Sequence, residues 1–589
     1  MNTRKSLITG IVPLLFILGP SVGYLHAIDI TKSDTATMNT AADWGGVSPA
    51  ITNTAFFTGA LSAGNAANLS LGDDVSLFRL EFQNINGPVT IAAGNTLTMS
   101  GTGSSSLQGI DMMDAALNHN VTINAAIVNT GTIGVKAGRT LTLGGGATNI
   151  QRAIGAGSLL LNTGTYGFNE YLNMGDWANP STTGVVIGNS ATASIGAQYS
   201  IGRSANGIVR VNGTGAQFTA TPGNQDLSVG RDNTKGLLQV DAGNLSIGRT
   251  AFLGTGGSSE GILRINGGTA TVGANLNVLM NANNAAASGT FEVNGGTTTV
   301  GGQILLGSGS TAGSADMTVT GGTLYIGRNG VGIATSGTGS TTHLITLSGG
   351  TIGSSTTTAG GGWSSAANMT LGTVNGDITF RAANTNGNAR NITLSGVLSG
   401  DGGLIKTAPG TLTLSGENTY AGDTTVSEGK LLLSGAGSIT NSSAITVDAG
   451  AEIEAATLTI GDGKAVGGGG TVTGNLSLQS GANFIFHEAD TLTVSGTVTL
   501  DNSFGVASLV VADWALVAAD TYTLIDNGSD FSNISNLGYD NRATGLAGGR
   551  EAYFEEGSLA LVVIPEPGSM VLLLLGAGIF VRRRWLNCA

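Results

Sequence analysis

The sequence predicts an all-β fold: a right-handed parallel β-helix, or solenoid, with a terminal β cap, preceded by a signal peptide and followed by a short apolar helix. Three observations carry this reading. Glycine supplies 97 of 589 residues, while proline supplies only 9 and charged residues 10 %, a composition of short strands joined by tight turns. Aliphatic residues alternate with Thr, Ser and Asn in the period-2 manner of half-buried strands. A unit of about 27 residues recurs through the middle of the chain, and repeats of that size build solenoids. Collagen is excluded by the absence of a Gly-X-Y period. Disorder is excluded by a 41 % hydrophobic content at low charge density.

Residues 1–27 read as a secretory signal peptide, with Arg4 and Lys5 at the start, an apolar run over 7–18, and Leu25-His26-Ala27 before the expected cut. Residues 28–200 read as the first solenoid coils, from strand-then-glycine segments such as Leu97-Thr98-Met99-Ser100-Gly101 and Leu141-Thr142-Leu143-Gly144.

The repeat is clearest over 201–400. Six segments led by Val211, Val240, Ile265, Val293, Val319 and Leu347 succeed one another at steps of 29, 25, 28, 26 and 28 residues. Most units combine a strand such as Ile262-Leu263-Arg264-Ile265, an Asn-Gly-Gly turn, a second strand such as Thr269-Ala270-Thr271-Val272, and a third such as Gln303-Ile304-Leu305-Leu306-Gly307. One coil cannot bury its apolar face alone, whereas stacked coils form a continuous core. The glycines admit the sharp corners. Antiparallel hairpins explain each Asn-Gly turn but not the sustained repeat. Variable inserts of small residues, alanine-rich at 281–288 and glycine- and serine-rich at 308–314, are expected on loops.

Residues 401–435 carry a different pattern: Gly403-Leu404-Ile405-Lys406, then Gly410-Thr411-Leu412-Thr413-Leu414, Asn418-Thr419-Tyr420-Ala421-Gly422-Asp423-Thr424, and Gly429-Lys430-Leu431-Leu432. It closely resembles the autotransporter-associated β-strand repeat of parallel β-helix passengers. Asn418 and Tyr420 are expected to be structural, at a corner and over the core. Residues 436–495 read as further coils and 496–563 as the cap, which shields an otherwise open edge.

The tail, 564–589, contains Pro565-Glu566-Pro567, an apolar run over 570–581 and Arg582-Arg583-Arg584. Twelve apolar residues fall short of the ~20 that span a bilayer as a helix. The order resembles the PEP-CTERM sorting signal. That resemblance implies a sorting signal in which Pro565, Glu566 and Pro567 are recognised by an exosortase that removes the tail, while Arg582, Arg583 and Arg584 stay on the cytoplasmic side. The Sec translocon is then an earlier partner and the inner membrane a transient one; an ordinary tail anchor is the alternative. The barrel that ends an autotransporter is not evident in the pattern, and the sorting signal would take its place. Cys588 is the single cysteine, which leaves no disulfide framework.

Trimming both ends moves the formal charge from −13 to about −18, and the body between them shows no basic cluster in its linear sequence, so nucleic acid and acidic polymers are not expected as partners. Two function classes follow. The first is a non-catalytic cell-surface or extracellular-matrix protein, adhesive and associated with exopolysaccharide or biofilm, with no cofactor and no metal. The alternative is a polysaccharide lyase or hydrolase on a β-helix, which needs converging carboxylates. Candidates are Asp73, Asp74, Asp111, Asp114, Asp241 and Asp316, but adjacent Asp73 and Asp74 point to opposite faces of a strand. His26, His119, His343 and His487 are isolated and lack zinc spacing. Arg203, Arg231, Arg249 and Arg328 each follow a glycine at a strand end and are candidates for a ladder along one side, read first as exposed charges that keep strand edges soluble and, as the alternative, as a sugar-binding or acidic-polymer stripe.

Overall fold

The computed structural model describes residues 28–101, 109–196, 200–220, 226–334, 340–357, 361–528 and 531–566. The signal peptide, Pro567, the apolar run and the three tail arginines lie outside the described residues. Within them the chain winds into a right-handed-type parallel solenoid of about 18 turns with almost no helix. At ~4.8 Å per turn the stack is roughly 90 Å long.

A representative coil shows how three faces arise. Glu260–Ile265 forms a first face, Thr269–Val272 a second and Leu276–Ala282 a third. The next strand, Ser288–Val293, lies directly on Glu260–Ile265, with Ile262 opposite Thr290 and Ile265 opposite Val293. Every named strand pairing in the solenoid is parallel, so the Asn-Gly turns are corners and not hairpins. Register explains the sequence repeat: Val211, Val240, Ile265, Val293, Val319 and Leu347 stack on one another in a single column. All six are fully buried.

Outside that column the corner carries its own ladder. Asn266 donates to Asp241 Oδ1 (2.7 Å), Asn294 donates to Asn266 Oδ1 (3.0 Å), and Thr320 Oγ1 donates to Asn294 Oδ1 (2.8 Å). These bonds are exposed, so each contributes little. Asn294→Ala is expected to cost about 1 kcal/mol or less, read as a small fall in the urea midpoint with unchanged slope.

The two inserts differ. Residues 283–287 form a loop, whereas 308–314 is largely absorbed by the strands Ile304–Ser308 and Ala312–Val319. Gly313 and Ser314 pair with Thr341 and Thr342 of the next coil, and this backbone pairing overrides their weak strand preference.

Aromatic residues fill both ends. At the start, Trp44 meets Phe57 edge-on at 5.7 Å and Phe57 stacks on Phe82 at 4.7 Å. Beside them Asp43 is held down to about 2: burial raises its carboxyl, but hydrogen bonds from Thr35, Thr37 and Thr40 outweigh it. At the far end parallel pairing continues past residue 496, through Val498–Leu500, Leu509–Val511 and Ile525–Asp526. Thr521–Thr523 then joins Ala543–Leu546, Arg550–Phe554 and Ala560–Pro565 in an antiparallel four-stranded sheet. Phe554 and Tyr522 of this sheet pack against Phe504 and Phe486, closing the last coils. Among the described residues no helix is long and apolar enough to cross a membrane.

Candidate functional site

The carboxylates singled out by sequence are dispersed and tied into local structure. Asp73 accepts the backbone N–H of Asp74, and Asp74 accepts that of Thr96 on the coil above, so both build a turn. Asp114 accepts the N–H of Ala116, and Asp241 accepts from Gln239 and Asn266. Asp111 comes nearest to a paired arrangement, because Arg79 bridges it (2.7 Å) to Glu81. Its other oxygen accepts the N–H of Met113, and burial raises its pKa despite the arginine. With both oxygens occupied and its side chain 8 % exposed, Asp111 acts as a brace between coils.

The histidines also remain apart. Asp316 and His343 lie on adjacent coils and attract each other, yet burial dominates, raising the Asp316 carboxyl and lowering the His343 imidazole. His487 pairs with Asp490 at 3.1 Å beside a cleft of about 350 Å³ near the cap, where Leu516 is 80 % exposed. His119 lies in the turn before Val121–Ile123.

Asn418 and Tyr420 occupy the structural positions expected of them. Asn418 accepts the N–H of Leu398 on the coil below and donates to the Ser438 carbonyl above. Tyr420 is buried, its hydroxyl 2.7 Å from Thr424 Oγ1, which lies 2.6 Å from Ser442 Oγ. The sequence reading gave Lys406 no role, but its side chain is fully buried and its ammonium donates to the carbonyls of Thr407, Ala408 and Glu428.

The four arginines do not form one ladder. Arg203 and Arg231 lie where the third face turns into the first, both within 3.7 Å of Asp232. Arg249 and Arg328 follow Asn244–Ile247 and Thr323–Ile326 on the second face, a different corner; Arg249 pairs with Asp226 at 3.6 Å. The third-face pair instead joins residues that the linear sequence keeps apart. Arg152 Nη1 donates to the Tyr171 hydroxyl (2.8 Å), and the guanidinium carbons of Arg152 and Arg203 each lie 5.8 Å from the Tyr171 ring centre. Trp177 sits 5.3 Å from the Lys235 ammonium. The only signal for this grouping is spacing close to one coil, legible once the coil length is known.

A family model described as Passenger-associated-transport-repeat matches residues 404–433. The chain is 30 % identical over 388 residues to the Adhesin BmaC autotransporter of Brucella suis biovar 1 (strain 1330). That alignment covers 61 % of this chain and 9 % of the relative, so the chain spans a small part of the relative's length. No solved structure matches. The chain thus carries a passenger-associated repeat within a solenoid and is similar, over more than half its length, to part of an autotransporter adhesin.

Proposed function

We propose that this protein is a non-catalytic surface or extracellular-matrix adhesin, exported through a cleavable signal peptide and sorted by an exosortase acting at Pro565-Glu566-Pro567. Exopolysaccharide or biofilm matrix is the partner in this reading. The observation that supports it most is the long regular solenoid whose candidate carboxylates are spent on turns and braces between coils. A regular face of this length adds many weak contacts, and binding gains from their number without any one being strong. Similarity to part of an autotransporter adhesin agrees with that use. Pro565 ends the last strand of the terminal sheet, and Glu566 accepts the N–H of Gly545 (2.6 Å), so these two residues lie at the edge of the cap, a position compatible with access by a processing enzyme.

Intact mass and cell fractionation in the native host test this. The wild type should lose both ends and appear at the surface or in the medium, while a variant with Pro565, Glu566 and Pro567 replaced by alanine should keep its tail in the inner membrane. A wild-type chain still ending at Ala589 in the inner membrane overturns the sorting and the surface role together.

A further inference from the structure

From the third face of the solenoid we infer a binding stripe for an anionic glycan, a polymer of carboxylate-bearing sugars, centred on Arg152, Tyr171, Arg203 and Arg231. This deepens the adhesin reading and rests on it. Although the chain as a whole carries a net charge of −13, residues 136–264 hold nine basic side chains against six acidic ones. Folding concentrates part of that excess. The strands Ala147–Gly155, Leu172–Met174, Ser200–Ile201 and Leu227–Arg231 are successive rungs of the third face, each paired in parallel with the next. Arg152 and Tyr171 stand in register at the start of their rungs, and Arg203 and Arg231 follow in register at the far end of theirs, so the four form a patch that crosses the third face and spans roughly 15 Å along the axis. The absence of a basic cluster in the linear sequence therefore does not hold in three dimensions, since each coil contributes one member.

The chemistry of the stripe selects the ligand. Guanidinium groups present planar paired donors that match carboxylates, and the Tyr171 ring, with two of them over it, holds those donors in place. The bond from Arg152 to the Tyr171 hydroxyl fixes that ring, so little ordering is required on binding. Arg203 and Arg231 remain 35 % and 43 % exposed, within reach of a ligand. Asp232 is their shared counter-charge, itself 56 % exposed, and a ligand carboxylate competes with it directly. Trp177 and Lys235, the latter paired with Glu260 at 2.6 Å, add a second combination of aromatic and cation at the same corner as Arg203 and Arg231. An open patch whose charges come from separate coils suits an extended polymer, whereas a small anion needs convergent donors.

Binding of the purified protein to polygalacturonate, to neutral dextran and to duplex DNA, measured by biolayer interferometry across a salt series, tests the inference. Polygalacturonate should bind at least fivefold more tightly than dextran or DNA and weaken as salt rises. The double variant Arg152→Gln/Arg203→Gln should lose about tenfold, while Arg249→Gln, which removes the same kind of charge at another corner, should stay within twofold. Asp232→Asn should tighten binding two- to threefold, a gain that misfolding cannot imitate. Equal binding of dextran, a preference for DNA, or polygalacturonate binding unmoved by the arginine and Asp232 variants overturns the stripe. None of these results touches the fractionation test, so sorting to the surface stands or falls separately.

Discussion

Replacing Gly230 with valine should cost about 4 kcal/mol or more and turn one unfolding transition into two. Gly230, one residue before the end of the third-face rung Leu227–Arg231, has φ +69°, and a Cβ there would sit well under 3.0 Å from the carbonyl oxygen of Glu260. That oxygen cannot retreat, because Glu260 belongs to a strand paired with Lys235 below and Ser288 above. The same collision awaits at Gly202 against Lys235 and at Gly254 against Ser288, at φ +74° and +64°, so the corner is built from glycine on three successive coils. Valine adds left-handed strain to the overlap, since its branched Cβ crowds the following carbonyl. A solenoid's stability is close to a sum of terms between neighbouring coils, so a defect in mid-stack uncouples the two sides. Gly256 supplies the control: it has a similar φ of +74° but open space around the Cβ position, and Gly256→Ala should cost only about 1 kcal/mol. Urea titrations followed by far-UV circular dichroism, with limited proteolysis at intermediate urea, distinguish the cases. A single transition in Gly230→Val within 1 kcal/mol of the wild type would mean that this corner yields easily and that the close stacking is not required.

Much of this architecture was legible because a parallel solenoid writes its geometry into its sequence. The residues that mark the repeat, Val211 through Leu347, are the ones that stack in the core, so sequence period and coil are the same quantity. The handover to the cap was harder to read. The run Thr521-Tyr522-Thr523-Leu524-Ile525 looks like one strand, yet its first part pairs antiparallel with Ala560–Pro565 and its end pairs parallel with Leu492–Val494. The arginine pattern misled for a specific reason. An aliphatic residue, glycine and arginine end second-face strands at Arg249 and third-face strands at Arg203 and Arg231, so one local motif serves two corners. Only register separates them. Tyr171 and Arg152 carried no local signal, because what joins them is the stacking of one coil on another.

Stability should rise between pH 8 and 10 and fall above it, and Lys406 should account for most of the rise. Burial pushes its ammonium down to about 8, against a weaker opposing pull from Glu428. The unfolded chain therefore holds a proton that the folded chain releases between pH 8 and the ordinary lysine value of 10.5, so stability increases with pH through that window. The gain is on the order of 1 to 3 kcal/mol. Lys32, also lowered by burial, adds a smaller contribution of the same sign. Tyr166 and Tyr420 act in the opposite sense: burial pushes both phenols up to about 12, so above pH 10 the unfolded chain ionises first and stability declines. Lys406→Met separates these effects. It leaves the carbonyls of Thr407, Ala408 and Glu428 without their donor, costing about 2 kcal/mol at pH 7, and it should leave only the shallow rise due to Lys32 between pH 8 and 10. Urea midpoints at half-unit steps from pH 7 to 11 give both curves. If the wild type is flat over pH 8 to 10, or the variant rises as steeply as the wild type, then the three carbonyls hold Lys406 charged as firmly as water would, and the buried lysine of this repeat is a permanent cationic clasp between coils.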